Sequence, residues 1–456
     1  MSKTQQSNPL GTESVSRLMM KFAVPSIIAM LVGALYNIVD QLFIGQAVGT
    51  LGNAATNIAF PLSTSCIALA LLFGIGGASC FNLSMGRGEK EKAGFFVGNA
   101  TALLVISGVA LTLITQVFLT PMLIGFGSPD DVLPYAQTYV RITSIGFPFL
   151  LLTIGGGHLI RADGSPRMTM ICNIAGAVIN TILDAVFVLG MDLGMAGAAY
   201  ATIIGQIISA IMVICYMRHC RTVALEAKHF RLRWSCIREI SSIGMASCVN
   251  QLAMMVVQIV LNNSLRHYGM LSPYGAAIPL ACSGIVMKVS QLFFSVVIGL
   301  SQGSQPIESF NYGARRYDRV REAYKLASIA GGAISIFAFA LFQLFPHQII
   351  SLFGSGTESY YQFGISYFRI FLLFTGLNFV QPITSTFFTS IGKSGKGVFL
   401  ALTRQILFLL PLVILFPLIW GIDGILYAGP TADLLAFVIA VIMAVQEFRL
   451  MKPLPR

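Results

Sequence analysis

Long apolar stretches separated by short polar connections recur along the whole chain. Each holds about 20 residues, enough for a helix to cross a hydrocarbon core of about 30 Å. Because a helix satisfies its own backbone hydrogen bonds in lipid, the pattern predicts an all-α integral membrane protein. The twelve predicted spans lie near 17–45, 55–84, 94–118, 135–158, 168–190, 195–217, 237–267, 277–303, 322–345, 361–388, 397–419 and 424–446.

Short sequence echoes recur at an offset close to half of the 456-residue chain. They are FGS at 126–128 and 353–355, YVRI and YFRI at 139–142 and 367–370, GMAGAAYA and GIDGILYA at 194–201 and 421–428, and Gly86 with Gly313. Six helices per repeat give both repeats the same orientation, related by a pseudo-twofold axis along the membrane normal. We therefore expect an N-lobe over 1–218, a linker over 219–238 and a C-lobe over 239–456.

The positive charge is concentrated on one side of the predicted helices. The net charge is +11, but only 10% of the residues are charged and mean hydropathy is +0.78, outside the usage of soluble domains. Most Lys and Arg lie in connections such as 87–92, 218–238, 315–325 and 393–404. This asymmetry predicts a cytoplasmic side carrying both termini and argues against a nucleic-acid partner. The first sixteen residues are polar without a signal-peptide pattern.

Motifs for enzymatic chemistry are missing from the sequence. The eight cysteines form no CxxC and no cluster with the five histidines, so neither disulfides nor a zinc site is predicted. No GxxxxGK[ST] motif occurs, so the chain has no ATPase of its own. We expect neither an enzyme nor a cofactor.

Six charged residues fall well inside the predicted spans. The acids are Asp40, Asp184 and Asp433, and the bases are Arg141, Lys288 and Arg369. Such groups are costly in hydrocarbon, so they usually face a cavity or each other. Asp433 and Lys288 are expected to form a structural ion pair in the C-lobe. Arg141 and Arg369 occupy repeat-equivalent positions, which favours a shared structural task such as binding outer carbonyls or headgroups.

Polar oxygens gather around the two acids of the first half. The residues are Tyr36, Asn37 and Asp40 in helix 1, Asn180 and Asp184 in helix 5, and Thr202 in helix 6. Asn180 and Asp184 share one helix face because they are four residues apart. Carboxylate, amide and hydroxyl oxygens are hard ligands for a small cation, and two neighbouring carboxylates can also share a proton. The group could therefore hold Na⁺ or H⁺, or it could be structural glue between helices.

Several strings in a fixed order carry a family resemblance. They are Val24-Pro25, the YNIVD that ends at Asp40, Leu51-Gly52, RADGSPR at 161–167, INTILD ending at Asp184, GAAYAT at 197–202 and GLSQGSQPIESFNYGA at 299–314. Over essentially its whole length the chain resembles a MATE (multidrug and toxin extrusion) transporter of the DinF/MepA-like bacterial branch.

The resemblance implies two six-helix lobes around a central V-shaped cleft. It also implies a monomer in the lipid bilayer of a bacterial inner membrane that exports lipophilic cationic compounds by antiport with Na⁺ or H⁺. By position, the matches to the N-lobe cation site are Asp40, Asn180, Asp184 and Thr202. Pro25 matches the family's helix 1 kink and is the expected conformational hinge. Tyr36 and Asn37, beside Asp40, are the expected substrate-cleft residues.

One departure and two alternatives remain. Some family members place acids in helices 7 and 10, but here helix 7 has none and helix 10 has none after Glu358. Coupling is therefore expected in the first lobe. A lipid-linked sugar flippase of the same superfamily is one alternative, although it would need several intramembrane cations for a pyrophosphate. A membrane scaffold without transport is the other.

Overall fold

A computed structural model describes residues 8–275, 277–353 and 356–451, and it is helical with no β-strand in these ranges. The second FGS string and the two chain ends fall partly or wholly outside the described residues. Eleven described helices are long and apolar enough to span a membrane. A twelfth span is a pair of helices bent by 41°. The prediction of an all-α protein with twelve spans is confirmed.

The twelve spans are labelled α1 to α12 in chain order. They are α1 (Val15–Ala47), α2 (Leu51–Arg87), α3 (Lys90–Val117), α4 (Leu133–Ala162), α5 (Pro166–Gly190), α6 (Gly194–Met217), α7 (Trp234–Met270), α8 (Ala277–Gly313), α9 (Tyr317–Leu344), α10 (Glu358–Leu377 with Val380–Ser390), α11 (Ser394–Trp420) and α12 (Ile422–Leu450). Short additional helices are Pro9–Thr12, Leu119–Gly125, Ala227–Phe230 and Pro346–Ser351. Below, α1–α6 are called the N-lobe and α7–α12 the C-lobe.

Local sequence explains several helix ends. Pro166 stands in the first turn of α5, where a missing backbone N–H costs nothing. Gly88 follows α2 with φ 84°, a left-handed conformation that glycine adopts without strain. Asn8 caps the turn Pro9–Thr12 by accepting a hydrogen bond from the Leu10 backbone N–H at 3.0 Å.

The two halves repeat each other in detail. In each half a short helix precedes the fourth span, at Leu119–Gly125 and at Pro346–Ser351. Gln116 donates a 2.7 Å hydrogen bond to the Arg141 carbonyl, and Gln343 donates one of 3.0 Å to the Arg369 carbonyl. Both arginines are exposed. Their backbone carbonyls, not their guanidinium groups, make the contacts that the repeat conserves.

The hydrophobic cores show where the two lobes touch. The connections after α2, α6, α8 and α10 carry most Lys and Arg, and the face on which they lie is called the basic face. One core cluster joins N-lobe side chains to C-lobe residues near that face, including Ile240, Val297 and Phe310. Farther from it, Val257, Leu265 and Val289 belong to a second cluster that has only C-lobe members among the described residues. The lobes therefore meet at the basic face and separate toward the opposite face.

Glycines permit the closest approaches between the lobes. Gly86 on α2 packs against the backbone of Phe310 on α8. A Cβ at Gly303 on α8 would lie 2.6 Å from Ala23 Cα on α1. Only glycine allows backbones to come this close, so these positions seal the cleft at the basic face.

At the same face, hydrogen bonds join the N-terminal turn that precedes α1 to helices of the C-lobe. The Leu10 carbonyl accepts hydrogen bonds of 3.0 Å from both Asn311 at the end of α8 and Arg319 on α9. Arg319 also bonds the Glu13 carbonyl at 2.6 Å. The other described end lies nearby, because Arg321 on α9 bonds the Met451 carbonyl. Both described chain ends are thus on the basic face.

The connection between the lobes is anchored to the N-lobe. Asn99 on α3 donates to the carbonyls of His229 and Arg231, both at 3.1 Å, and accepts from the Arg233 N–H at 2.8 Å. Asp163, after α4, accepts from the Arg221 N–H at 2.7 Å. The connection is therefore held on the N-lobe by hydrogen bonds and is not a free linker.

Candidate cation site

The structure brings the four expected cation-site residues together from three helices of the N-lobe. Asp40 on α1, Asn180 and Asp184 on α5, and Thr202 on α6 are all buried, with Asp184 0% and Asn180 2% exposed. The Asp40 and Asp184 carboxyl groups lie within hydrogen-bonding reach of each other. The Asn180 amide donates to the Thr202 hydroxyl at 3.4 Å.

Backbone features position these side chains. A Cβ at Gly205 on α6 would lie 2.8 Å from the Gly176 carbonyl oxygen, so glycine lets α5 and α6 approach next to Asn180. Asp184 ends the α-helical part of α5, and Ala185–Gly190 continues as a π-helix. Such wide turns are frequent at functional sites because they redirect side chains.

The cluster has more acceptors than donors. Both carboxylate oxygens of Asp184, Oδ1 of Asp40 and Oδ1 of Asn180 are buried without a hydrogen-bond partner among the described residues. An ionised carboxylate only accepts hydrogen bonds, so two facing carboxylates need a proton or a cation between them. Bringing both into the interior as bare anions would cost several kcal/mol each. The arrangement is therefore chemically suited to a small cation or a shared proton.

The donor set excludes a histidine- and cysteine-rich site. Across the described residues, no three His, Cys, Asp or Glu side chains are grouped so as to hold a metal ion. The other members of the cluster are the amide of Asn180, one helical turn before Asp184 on α5, and the hydroxyl of Thr202, to which that amide donates at 3.4 Å. These oxygen ligands suit a hard cation.

Two tyrosines close the site, and only one of them was expected. The hydroxyl groups of Tyr36 and Tyr139 both reach the Thr202 hydroxyl and lie near the two carboxyl groups. Tyr139 lies on α4 in the repeated YVRI string, but the repeat does not show that its hydroxyl reaches the site. Asn37 is exposed and donates to the Gly33 carbonyl of its own helix at 3.0 Å, so it does not join the cluster.

Pro25 lies inside α1, which runs as one helix from Val15 to Ala47. The proline is buried near the basic face, where α1 packs against α8. It cannot donate a hydrogen bond to the preceding turn, so α1 is weakened at this point without being broken.

The C-lobe acid Asp433 has a different partner from the expected one. Its Oδ1 accepts a 2.6 Å hydrogen bond from Arg404 Nε, and its Oδ2 accepts one of 2.8 Å from Asn378. Lys288 is exposed and forms no ion pair within the described part of the chain, so the expected Lys288–Asp433 pair is wrong. Arg404 was assigned to the connection after α10, but it lies in the π-helix Thr403–Leu409 of α11, which faces Asp433.

Two buried acids of the C-lobe escaped the sequence analysis. Glu447 on α12 is 1% exposed and is bonded to Lys393 at 2.5 Å and to Lys396 at 2.7 Å. Glu308 on α8 is 0% exposed. Helix 8 was expected to end near residue 303, but α8 continues to Gly313, so Glu308 lies inside the helix bundle.

An apolar cavity lies in the C-lobe. It lies between α8, α9 and α10, and its volume of about 20 Å³ leaves room for little more than one water molecule. Its walls include Phe293, Phe294 and Phe342, with Asn378 at one side.

Comparison with known proteins identifies the family. The MatE family model matches residues 25–186 and 246–415. The multidrug export protein MepA of Staphylococcus aureus (strain NCTC 8325 / PS 47) is 23% identical over 430 residues, covering 94% of this chain and 93% of its own. MepA of Staphylococcus saprophyticus is 24% identical over 436 residues, again covering 94% and 93%.

The same fold occurs in solved structures. One is described as the outward-facing conformation of a multidrug resistance MATE family transporter of the MOP superfamily. It superposes with a TM-score of 0.91 and 21% sequence identity, covering 99% of both chains. The two-lobed architecture expected from the sequence is therefore that of known membrane transporters.

Proposed function

The chain belongs to the MatE family, and we propose that it is a multidrug exporter that moves lipophilic cationic compounds out of the cell in exchange for Na⁺ or H⁺. It works as a monomer in the bacterial inner membrane, with the basic face in the cytoplasm. The observation that carries the proposal is the Asp40–Asp184 cluster, a pair of buried carboxyl groups inside a membrane-spanning bundle. The names of the export proteins that match most of its length support the same direction.

The coupling ion binds at Asp40, Asn180, Asp184 and Thr202. An inward-moving cation or proton neutralises the two carboxyl groups, and its release restores their repulsion. Each charge that crosses the membrane supplies about 2.3 kcal/mol per 100 mV of potential. That energy drives substrate outward only if the two shapes of the protein bind the substrate with different affinity.

Substrate selectivity follows from charge and surface. The N-lobe site presents carboxyl groups, and Tyr36 stands beside them. Cations bind favourably near carboxylates and aromatic faces. A lipid-linked sugar flippase would instead need several free intramembrane cations for a pyrophosphate, whereas Lys288 is a single intramembrane lysine, unpaired among the described residues, and Arg404 is neutralised by Asp433 at 2.6 Å.

The experiment is transport by purified protein in liposomes. A fluorescent lipophilic cation is the probe, with an imposed Na⁺ gradient in one set of vesicles and a pH gradient in the other. Asp184→Asn, which keeps volume but cannot ionise, is expected to abolish gradient-driven transport while the protein remains folded. Asp192→Asn is the matched control, because Asp192 follows the same helix but is exposed.

Each outcome has a definite reading. Transport by wild type with one gradient only identifies the coupling ion. Full gradient-driven transport by Asp184→Asn contradicts the coupling role of the cluster. Absence of transport by wild type with either gradient contradicts the export function itself. The lipid-linked sugar flippase and the membrane scaffold are then the alternatives to test.

A further inference from the structure

Glu308, like Asp40 and Asp184, is a buried acid without a cationic partner in the described part of the chain, and it lies in the other lobe. It is 0% exposed, and both of its carboxyl oxygens lack a hydrogen-bond partner among the described residues. None of the described Lys, Arg or His side chains is within ion-pair distance of it. It differs in this respect from the other two buried acids of the C-lobe, Glu447 and Asp433, which are both bonded to cations.

The two serine hydroxyl groups near Glu308 do not donate hydrogen bonds to its carboxyl group. Ser304 on α8 and Ser390 at the end of α10 lie within reach of its carboxyl group. Ser304 donates instead to the Ser301 carbonyl at 2.9 Å, and Ser390 donates to the Thr386 carbonyl at 2.8 Å. Each serine therefore turns an acceptor oxygen toward Glu308. A protonated carboxyl group can donate to such an oxygen, whereas an ionised one cannot.

The other elements around Glu308 add no charge. On α9 the titratable neighbour is Tyr324, whose hydroxyl is shared with Thr384 at 2.8 Å. On the N-lobe side, α2 covers the region with Leu83, whose backbone packs against Gly313. An ionised carboxylate in this setting would lose its hydration without compensation.

Whether water can reach Glu308 depends on whether the two lobes are in contact at the basic face. Gly86 on α2 packs on Phe310, two residues beyond Glu308, and a Cβ at Gly392 after α10 would lie 3.2 Å from Leu83 Cδ1. These contacts belong to the seal between the lobes at the basic face. Parting of α2 from α8 and α10 would expose Glu308 to water on that face.

We propose that Glu308 is a second proton-carrying site of this protein. It holds a proton while the lobes are closed at the basic face, and it releases that proton to water when they part there. The step breaks one carboxyl O–H bond, leaving a carboxylate on Glu308 and a proton on water. The proposal rests on the proposed export function. To add one proton to the ions moved in each transport cycle, the Glu308 carboxylate must take up its next proton from the opposite face as the lobes close at the basic face.

Infrared spectroscopy of the purified full-length protein tests the protonation directly. The starting protein is the Asp40→Asn/Asp184→Asn variant, which removes the other carboxyl groups able to share a proton. We expect its spectrum at neutral pH to show the C=O absorption of a protonated carboxylic acid. Adding Glu308→Gln is expected to remove that absorption. Adding Glu447→Gln, at an equally buried acid paired with two lysines, is expected to leave it.

Other infrared outcomes overturn the proposal. If Glu308→Gln leaves the absorption unchanged, Glu308 is ionised. If the absorption is absent and Na⁺ shifts the carboxylate bands of the starting protein but not of Glu308→Gln, the ligand is Na⁺ rather than a proton. Glu308→Met serves the same comparison if the glutamine variant does not fold. None of these readings depends on transport, so failure of the export function is recognised separately.

The transport cycle tests the second half of the proposal. Reversal potentials in liposomes give the number of protons exchanged per substrate molecule. Glu308→Gln, with Asp40 and Asp184 intact, is expected to exchange one proton fewer than wild type and to keep transporting. An unchanged number would show that Glu308 holds a static proton and takes no part in coupling.

Discussion

Arg404 on α11 and the buried Asp433 on α12 form a partly buried ion pair, with 2.6 Å between Arg404 Nε and Asp433 Oδ1. The carboxylate is completed by Asn378, which donates to its other oxygen at 2.8 Å. This acid is therefore neutralised and hydrogen-bonded, in contrast to Asp40 and Asp184, whose oxygens lack such donors. A buried acid with a permanent cation cannot exchange a transported ion easily, so we assign Asp433 a structural role.

Breaking the Arg404–Asp433 pair from one side should destabilise the protein. Arg404→Met leaves a buried carboxylate without its cation, which typically costs about 3–5 kcal/mol. The double variant Arg404→Met/Asp433→Leu removes both charges and should recover most of that loss. Thermal unfolding of purified protein in detergent measures both effects. Gradient-driven transport by the folded double variant checks the structural role, and its complete loss would mean that the pair takes part in coupling.

The seal at the basic face can be tested at one glycine. Alanine favours a helix over glycine by about 1 kcal/mol, so Gly86→Ala should not harm α2 itself. Its Cβ would collide with the Phe310 backbone, and we expect the lobes to part at the basic face. Gly284→Ala on α8 is the matched control, because its Cβ meets none of the described atoms within 4 Å.

A cysteine at position 79 reports this opening. Ser79 is buried in the seal, where it accepts a 2.8 Å hydrogen bond from Gln305. In a background without native cysteines, Ser79→Cys should react several-fold faster with a membrane-impermeant thiol reagent when Gly86→Ala is present. Equal rates with Gly86→Ala and Gly284→Ala would show that the glycine contact does not hold the lobes closed.

Much of the fold can be predicted from the sequence because lipid imposes a simple constraint. Every span must be long and apolar, and twelve such segments are visible. The bend within α10 and the π-helices of α5 and α11 result from packing between helices, which cannot be predicted from the hydropathy of a single segment. For the same reason Arg404 was assigned to a connection, although it lies inside the bundle.

The candidate site was predictable only in part. Asp40 and Asp184 stand out because an acid is rare in an apolar span, and the structure does bring them together. Tyr139 comes from a fourth helix, and no local pattern shows which of the 14 tyrosines reaches the site. Glu308 lies in a polar string that resembles a helix end. That string is buried because the other lobe packs on it, a contact between segments far apart in the sequence.

The membrane orientation of the loops remains a prediction with a direct test. In a background without native cysteines, Asp130→Cys marks the connection before α4 and Ala224→Cys marks the connection between the lobes. Both positions are exposed. In intact cells an impermeant thiol reagent should label the Asp130→Cys variant. The Ala224→Cys variant should be labelled only after the membrane has been permeabilised. Labelling of both positions from outside would contradict a cytoplasmic basic face and the division into two lobes of six helices.

Helix α1 is expected to link ion arrival to substrate release. Pro25 lies about four turns before Asp40 on α1, and it removes one hydrogen bond of that helix. Proline in a helix interior costs about 3 kcal/mol, so Pro25→Ala should stiffen α1 without impairing folding. We expect several-fold slower transport per folded molecule. Pro61→Ala, at a proline inside α2, is the control for a general effect of removing a helix proline.

Binding measurements separate this linkage from a simple loss of activity. In wild type, the affinity for a fluorescent lipophilic cation should fall when Na⁺ is added or pH is lowered, whichever ion couples, because neutralising Asp40 and Asp184 removes the charge that attracts the cation. In Pro25→Ala, the change in affinity caused directly by the loss of charge should persist. The change in affinity caused by reshaping of the lobe should be lost, so the total ion-dependent change should be smaller than in wild type. If the affinity of wild type responds to neither ion, the two carboxyl groups are structural and no competition between ion and substrate exists. If Pro25→Ala responds as fully as wild type, α1 bending plays no part, since the affinity change then comes from charge alone.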